Sequence, residues 1–270
     1  MTNASPNPLP WPASTLARLR GLLCDIDGTI TTDGRLSAAA YGALEALQSA
    51  GLLVIPVTGR PAGWCDLIAR FWPVAAVVGE NGAFYFRYDH ATRRMTRRYA
   101  RSDAERAADR ARLAEIGAQV LREVPGAALA ADQSYREADL AIDYCEDVPP
   151  LPASEVQRIV GLLAAHGLTV KVSSIHVNAW FGRYDKLTMT RRLMEEQFGV
   201  DLERSREALA FIGDSPNDEP MFAFFPISAA VANIAHFADS LAHKPAHVTA
   251  RAEGAGFAEF AEQLLAARKR

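Results

Sequence analysis

The most chemically informative stretch is DIDGT (25–29), which comes at the end of a short apolar run. Side chains alternate along an extended chain, so Asp25 and Asp27 can point the same way. Two carboxylates this close repel unless a cation lies between them or one is protonated. Gly28 would let the backbone approach a ligand closely, and Thr29 adds a hydroxyl donor. The stretch predicts a ligand site, although Asp-Gly is also a common turn dipeptide.

A second group of oxygen-bearing side chains lies in FIGDSPNDEPMF (211–222). Asp214 follows a second apolar run, and Asn217 and Asp218 open a predicted helix. Asn217 or Asp218 could cap that helix. Capping alone does not require the three side chains together at the end of a strand, and oxygen ligands in this number suit Mg²⁺.

Two weaker signals complete the set. Thr58, in VTGR (57–60), stands where its hydroxyl and neighbouring backbone N–H groups could hold an anion at a helix N-terminus. Lys186 could neutralise two carboxylates or a phosphoryl oxygen. Each also has an ordinary interpretation, because Thr-Gly-Arg is a common strand-to-helix turn and a lone lysine on a helix is usually a solvated charge.

Apolar runs alternate with amphipathic stretches at both ends of the chain. The predicted strands here cover 22–26, 52–57, 74–78, 208–213, 226–231 and 247–250. The predicted helices cover 38–50, 62–71, 186–198, 218–225, 234–242 and 256–268. This alternation is typical of a parallel sheet with right-handed crossovers. Both ends of the chain are therefore expected to build one doubly wound sheet.

The middle of the chain has a different pattern, with more antiparallel character. Its predicted strands cover 84–88, 94–99, 138–145, 168–174 and 175–181, and its predicted helices cover 103–123 and 152–166. The predicted fold class is α/β, a doubly wound, Rossmann-like parallel sheet with an inserted α+β domain. The core is assigned to residues 1–100 and 182–270, and the insertion to residues 101–181.

Composition narrows the possible functions. The chain has 270 residues, of which 49% are hydrophobic, enough for two modest domains. Its formal net charge of −3 argues against nucleic acid as a partner. Three cysteines without metal-ligand spacing favour a reducing compartment. No apolar run approaches the roughly 18 residues that a membrane span needs, and the first 21 residues do not resemble a signal peptide. The expectation is a soluble cytoplasmic protein.

The four stretches, in this order, resemble the motifs of the haloacid dehalogenase (HAD) superfamily. DIDGT (25–29) resembles the first motif, Thr58 the second, Lys186 the third and GDSPND (213–218) the fourth. The insertion resembles the α+β cap of subfamily IIB, which includes Cof-type phosphatases, sucrose-phosphate phosphatase and phosphomannomutase. ENGA (80–83) also matches that subfamily. The resemblance covers both halves of the sheet domain.

The resemblance implies a role for each matching residue. Asp25 would be the nucleophile that forms an aspartyl-phosphate. Asp27 would protonate the leaving oxygen and then activate water. Thr58 and Lys186 would hold the phosphoryl group. The cofactor would be Mg²⁺, and its predicted ligands are a carboxylate oxygen of Asp25, the backbone carbonyl of Asp27 and the carboxylate of Asp214.

The resemblance also implies supporting residues. Asn217 and Asp218 would orient Lys186 and metal-bound waters. The other residues expected beside the phosphoryl group are Gly28, Thr29, Gly59 and Arg60. The predicted cap residues that contact the substrate are Ser173, Ser174, His176 and Asn178, which could bind a polyol but could equally be solvent-facing strand residues.

Three functions remain open at this point. The first is a phosphatase acting on a small phosphate monoester such as a sugar or polyol phosphate. The second is a phosphomutase of the phosphomannomutase kind, which would share the core residues. The third is a non-catalytic binding protein with this fold. The sequence does not indicate the substrate or the oligomeric state.

Overall fold

A computed structural model describes residues 7–239 and 241–269 of the chain. Residues 1–6 lie outside the described residues. So does residue 240, which falls within the predicted helix 234–242. None of the helices in the described part of the chain combines the length and apolar character that a membrane crossing needs.

The strands and helices are numbered separately in chain order. The strands are β1 Gly21–Cys24, β2 Thr31–Thr32, β3 Arg35–Leu36, β4 Leu53–Pro56, β5 Val77–Gly79, β6 Phe84–Asp89, β7 Arg94–Tyr99, β8 Ala128–Leu129, β9 Asp139–Asp143, β10 Thr169–Val172, β11 His176–Trp180, β12 Leu209–Gly213, β13 Ile227–Ala230 and β14 His247–Val248. The helices are α1 Ala13–Leu16, α2 Ala38–Ser49, α3 Ala62–Phe71, α4 Asp103–Glu123, α5 Ala153–Ala165, α6 Lys186–Phe198, α7 Leu202–Ser205, α8 Glu219–Phe224 and α9 Glu253–Arg268.

The central sheet has five parallel strands in the order β14-β13-β12-β1-β4. Successive residues of β1 face opposite sides of this sheet. Leu22 packs with residues of α2 and α9, whereas Leu23 packs with residues of α6 and α8. Because both faces are covered, the central strands are apolar throughout rather than alternating. The predicted doubly wound α/β core is confirmed.

A separate antiparallel sheet, in the order β10-β11-β9-β8, lies within residues 101–181. Helices α4 and α5 cover one face of it, and the apolar cluster between them includes Leu113, Ile159 and Val177. This agrees with the predicted α+β character of the insertion. Its exact boundaries stay a prediction.

The predicted hairpin 84–88 with 94–99 is confirmed as β6 and β7, but its sheet has a third strand. The predicted strand 74–78 is displaced to Val77–Gly79, and it pairs antiparallel with β6. A parallel bridge between Val57 and Val78 links it to the end of β4 in the central sheet. Local apolar character could not reveal this, because the choice of partner strand depends on residues that follow later in the chain.

The predicted helix 234–242 is wrong. Within the described residues the chain forms a short 3₁₀ helix at Ala232–Phe237 instead. Tertiary hydrogen bonds hold its start. Ala232 N–H donates to the carbonyl of Arg251, and the Asn233 side chain bonds to the loop after β1. These contacts hold the segment in a tighter turn than an α-helix provides.

Candidate active site

The sheet topology brings the first and fourth sequence motifs together. Strands β1 and β12 are adjacent and parallel, with Cys24 opposite Ile212. Asp25 N–H continues this pairing by donating to the Ile212 carbonyl at 2.9 Å. The two strands therefore end at the same edge, and the loops that carry Asp25 and Asp214 leave the sheet side by side. Open α/β sheets place their ligands at this edge.

Three carboxylates converge there. Asp25, Asp214 and Asp218 each offer an oxygen within 4.8 Å of the others. All three side chains are buried. Burial, together with the neighbouring Asp218 and Asp27 carboxylates, raises the pKa of Asp25 to about 7 despite the opposing effect of Lys186. Burial and the Asp25 carboxylate likewise raise the pKa of Asp214. An excess of buried negative charge is costly unless a cation compensates it.

Lys186 supplies one compensating charge. Its Nζ donates to Asp25 Oδ1 and to Asp218 Oδ1, each at 2.7 Å, and the residue is 2% exposed. Burial alone lowers the pKa of an ammonium, but the Asp218 and Asp25 carboxylates outweigh it and raise the pKa of Lys186. One lysine facing three carboxylates leaves negative charge in excess, and the donors are all oxygen. This set fits a divalent cation such as Mg²⁺.

Local structure fixes Lys186 at the start of α6. Asp185 caps this helix by accepting from Thr188 N–H at 2.7 Å. The turn at Gly82 packs directly against the Asp185–Lys186 peptide, where a Cβ would lie 2.0 Å from the Asp185 carbonyl oxygen. Gly82 has a φ of +103°. Only glycine accommodates both the backbone conformation and this approach.

Asp218 holds the loop after β12 and Lys186 at once. Its Oδ2 accepts from the N–H groups of Asp214 and Ser215, at 3.0 and 3.3 Å. Its Oδ1 accepts from Lys186. The predicted side-chain capping of α8 by Asp218 is wrong: Asp218 is instead the third residue of a capping box that begins at Ser215 and closes the 3₁₀ turn before α8. Both oxygens of Asp218 are therefore bound by donors of the protein, one of them by the buried Lys186 ammonium.

Asn217, the other predicted capping residue, bonds elsewhere. Its Oδ1 accepts from Ser215 Oγ at 2.8 Å, and its Nδ2 donates to Asn81 Oδ1 at 3.3 Å. It also lines the small space beside Asp25. Asn217 therefore links the fourth motif to the ENGA turn and lies next to the carboxylates.

The loop after β1 wraps around Asp214. Gly28 has a φ of +71°, and a Cβ there would lie 2.4 Å from Asp214 Oδ2. Thr29 Oγ1 donates to Asp214 Oδ1 at 3.4 Å. Asn233 Nδ2 donates both to Asp214 Oδ2 at 3.2 Å and to the Gly28 carbonyl at 3.0 Å. Sequence reasoning missed Asn233, since it belongs to no motif and directly precedes the predicted helix 234–242.

Arg60 is bound by carboxylates in this structure. Its Nε donates to both oxygens of Asp27 at 2.9 Å. Its Nη1 pairs with Asp132 at 3.2 Å, and its Nη2 pairs with Glu146. Asp132 and Glu146 belong to the insertion, so Arg60 joins the insertion to Asp27.

Thr58 and Gly59 form the loop between β4 and α3. Thr58 is fully buried, and its Oγ1 accepts from Arg60 N–H at 3.0 Å. The Thr58 carbonyl accepts from Asn81 N–H. The Gly59 carbonyl accepts from Arg136 Nη1 at 2.9 Å. These bonds hold the second motif rigidly, and Gly59 also lines the small space beside Asp25.

The turn between β10 and β11 lies over the carboxylates. A space of only about 10 Å³ separates it from Asp25 and Asp27. The turn residues that line this space are Ser173, Ser174, Ile175, His176 and Asn178. The predicted cap residues are thus brought to the site.

Internal partners hold several of these cap side chains. His176 Nε2 pairs with Glu146 Oε2 at 2.8 Å, and Asn178 Nδ2 donates to Asp139 at 3.1 Å. Ser173 Oγ bonds to the His176 backbone within the turn. His176 and Asn178 are each 2% exposed, so the alternative that they face solvent is wrong.

Glu80 fastens the insertion to the core and was not predicted to do so. Its carboxylate accepts four backbone N–H groups, at 2.6 to 3.2 Å. One of them belongs to Ala62 at the start of α3, and the others belong to residues 137–139 of the insertion. Its place in ENGA (80–83) marked it as part of a motif, but no sequence pattern indicates its partners.

Comparison with known proteins supports one family. A sequence-family model described as haloacid dehalogenase-like hydrolase matches residues 22–122. A phosphoglycolate phosphatase of Methanospirillum hungatei is 39% identical over 72 residues, which are 25% of this chain and 30% of that protein's length. The chain therefore matches less than a third of this relative.

Solved structures share the fold. The C-terminal domain of a trehalose-6-phosphate phosphatase from C. albicans superposes with a TM-score of 0.68 and 18% identity, covering 99% of each chain. A sugar phosphatase of HAD subclass IIB superposes with a TM-score of 0.56 and 14% identity, covering 85% of this chain and 92% of that one. Residues 22–122 therefore match the haloacid dehalogenase-like hydrolase family, and the chain shares the fold of solved phosphatases that include a sugar phosphatase of HAD subclass IIB.

Proposed function

We propose that this protein is a Mg²⁺-dependent phosphatase that hydrolyses a small phosphate monoester through an aspartyl-phosphate on Asp25. The observation that carries the proposal is the convergence of Asp25, Asp214 and Asp218 around Lys186, at the carboxyl end of the sheet. Asp25 and Asp214, with the Asp27 backbone carbonyl, would hold the metal. When bound, Mg²⁺ supplies positive charge that offsets the repulsion between a phosphate dianion and an anionic nucleophile.

In the first step, an Asp25 carboxylate oxygen attacks phosphorus. The bond between phosphorus and the ester oxygen breaks, and the Asp27 carboxyl group gives its proton to that oxygen. Lys186, held 2.7 Å from Asp25, is placed to stabilise negative charge on the phosphoryl oxygens. Proton donation by a positioned acid such as Asp27 typically increases the reaction rate by about 10²–10⁴-fold.

In the second step, Asp27, now a carboxylate, takes a proton from water. The water oxygen attacks phosphorus, the bond to Asp25 breaks, and inorganic phosphate leaves. Covalent capture divides one difficult hydrolysis into two easier steps. Arg60 contacts both oxygens of Asp27, so it is placed to keep this side chain directed at the reacting atoms.

The insertion is proposed to act as a cap that must move during turnover. The space of about 10 Å³ beside Asp25 is close to the least that holds a single water molecule, roughly 10–15 Å³, so a phosphoryl group does not fit there. Substrate entry would therefore separate the β10–β11 turn from the sheet edge. Closure afterwards would exclude water from the phosphorylated Asp25 until Asp27 is positioned.

The test is a phosphate-release screen across phosphorylated metabolites, with Mg²⁺ or with EDTA. Wild type should release phosphate from at least one ester only when Mg²⁺ is present. Asp25→Asn should abolish release, whereas Asp103→Asn, at a side chain that is 96% exposed, should not change it. Acid-quenched wild type should carry a phosphoryl group on the peptide that contains Asp25.

Two results would contradict the proposal. Retained activity in Asp25→Asn would remove the nucleophile assignment. Transfer of the phosphoryl group to another hydroxyl of the substrate, without release of phosphate, would identify a phosphomutase instead.

A further inference from the structure

Glu146 lies in the loop that follows β9 of the insertion, and it faces Arg60 of the core. Its Oε1 accepts from Arg60 Nη2 at 2.5 Å, and its Oε2 accepts from Arg60 Nη1 at 3.4 Å. The carboxylate therefore binds the end of the guanidinium through both terminal nitrogens. The catalytic steps proposed above do not use this side chain.

Asp27 binds a different edge of the same guanidinium. Arg60 Nε donates to both Asp27 oxygens at 2.9 Å, and Arg60 Nη2 lies 2.8 Å from Asp27 Oδ1. Arg60 Nη2 is thus shared between the catalytic carboxylate and Glu146. A guanidinium is planar, and its N–H donors point in fixed directions. The orientation that Glu146 imposes on Arg60 is therefore passed on to Asp27.

The insertion holds Glu146 firmly. Its backbone N–H donates at 2.8 Å to Asp143 Oδ1, at the end of β9. Its Oε2 pairs at 2.8 Å with Nε2 of His176, which is the first residue of β11 and is 2% exposed. Despite partial burial, hydrogen bonds from His176 and Arg60 lower the pKa of Glu146 to about 2, so the side chain is a carboxylate at neutral pH. Glu146 therefore moves with the sheet of the insertion.

The core alone does not fix the orientation of the Arg60 guanidinium. Its central carbon lies over the Trp64 ring, 4.4 Å from the ring centroid. Stacking of this kind fixes the plane of the guanidinium but allows it to turn within that plane. The contacts at its far end come from Glu146 and Asp132, both in the insertion. If the insertion separates from the sheet edge, as the proposed function requires, both contacts are lost.

We propose, on the basis of the phosphatase function above, that Glu146 is a positioning residue of the insertion: when the insertion docks, Glu146 holds Arg60 in the orientation that directs Asp27 at the ester oxygen. Glu146 does not touch the reacting atoms itself. Proton donation by Asp27 is thereby made dependent on closure of the insertion over a bound substrate.

The test compares phenyl phosphate with 4-nitrophenyl phosphate. The two esters have similar shapes, but the nitro group makes the leaving oxygen less basic, so its departure depends less on a proton donor. Their kcat/KM values report transition-state stabilisation relative to free enzyme and substrate. Glu146→Ala should lower kcat/KM for phenyl phosphate about tenfold more than for 4-nitrophenyl phosphate, a part of the acid's typical contribution. Equal losses would mean that Glu146 affects only docking or stability, and would overturn the inference.

Two further variants control for the fold and for charge. Asp147→Ala, at an exposed carboxylate in the same loop, should leave both kcat/KM values unchanged. Glu146→Gln keeps the shape and one oxygen facing Arg60, so its effect should be intermediate. If circular dichroism shows that Glu146→Ala does not fold, Glu146→Gln decides: its loss should be roughly threefold greater for phenyl phosphate. Equal losses for the two esters in that variant would also overturn the inference.

A double-mutant cycle tests whether Glu146 acts through Arg60. Arg60→Lys keeps the charge but cannot bridge two carboxylates with a planar fork. In that background, Glu146→Ala should change the ratio of the two kcat/KM values by less than about twofold. A change as large as in the wild-type background would refute transmission through Arg60.

NMR separates this inference from the phosphatase proposal. The Nε–H signal of Arg60, identified by its loss in Arg60→Lys, should exchange slowly with water in the wild type and in Asp147→Ala. In Glu146→Ala it should exchange much faster, and unchanged exchange would overturn the inference even in an active enzyme. The exchange rate decides whether Glu146 holds Arg60 on Asp27, whether or not the wild type hydrolyses these two esters. A wild type that releases phosphate from no ester would contradict the proposed function alone.

Discussion

Replacing Lys186 with methionine is the most direct probe of the charge balance at the sheet edge. The substitution keeps an unbranched chain of similar length and removes one buried positive charge. In the wild type this charge lies 2.7 Å from Asp25 Oδ1 and 2.7 Å from Asp218 Oδ1. With 2% of Lys186 exposed, water cannot replace the ammonium as a partner.

The expected cost is large. Removing one partner of a buried ion pair typically costs about 3–5 kcal/mol, because the other partner stays buried and unpaired. Lys186 has two partners, but these carboxylates can take up protons, which limits the penalty to the range of a single pair. At about 2–4 °C per kcal/mol for a protein approaching this size, the melting temperature should fall by roughly 6–20 °C.

The assay is thermal unfolding in EDTA, followed by circular dichroism. Lys186→Met should show the full fall in melting temperature. The double variant Lys186→Met/Asp218→Asn should recover much of that fall, because the second substitution removes one unpaired charge. Lys244→Met, at an exposed side chain, is the control and should stay within about 0.5 kcal/mol of the wild type. Adding Mg²⁺ should stabilise Lys186→Met more than the wild type, since the excess negative charge is greater.

Equal melting temperatures for Lys186→Met and the wild type in EDTA would refute this reasoning. That result would mean that the carboxylates do not depend on Lys186 for compensation. The charge argument for a divalent cation would then lose its basis, because it rests on the same excess of buried negative charge.

The remaining predictions concern the acid, the fastening of the insertion and the metal loop. Asp27→Asn should slow both formation and breakdown of the phosphoenzyme by about 10²–10⁴-fold in rapid-quench experiments, and normal rates in both steps would contradict the acid/base role. Burial raises the pKa of Glu80 from its ordinary value of 4.5 to about 8. The folded protein therefore holds this proton more tightly than the unfolded chain, and the contribution of Glu80 to stability falls as pH rises between those values. In urea unfolding, the free energy of unfolding of Glu80→Gln should decline less from pH 5 to pH 8 than that of the wild type. Parallel declines would contradict this role of Glu80. Gly28→Ala should weaken Mg²⁺ binding, measured by calorimetry, because the added Cβ would collide with Asp214. Gly34→Ala is the control and should not weaken it, since Gly34 has a similar φ of +69° but open space around it. Equal losses of Mg²⁺ affinity in the two variants would attribute the effect to backbone strain alone.

Local sequence patterns are enough to predict the layers of the fold. Uninterrupted apolar runs such as 52–57 and 208–213 are buried on both faces, and this pattern survives in any arrangement of the sheet. The same sequence pattern predicts that Asp25 and Asp214 lie just beyond the ends of two strands. In a parallel sheet such ends share one edge, so their proximity could be anticipated without knowledge of any contact.

The tertiary structure alone decided which side chains complete the site. Asn233 reaches Asp214 only because a predicted helix is replaced by a 3₁₀ turn, and Arg60 meets Glu146 only because the insertion packs onto the sheet edge. Glu80 likewise finds its backbone donors on a segment far along the chain. The physical reason is that periodicity reports which side of an element is buried. The partner of a buried polar group depends instead on long-range packing, which no local pattern encodes.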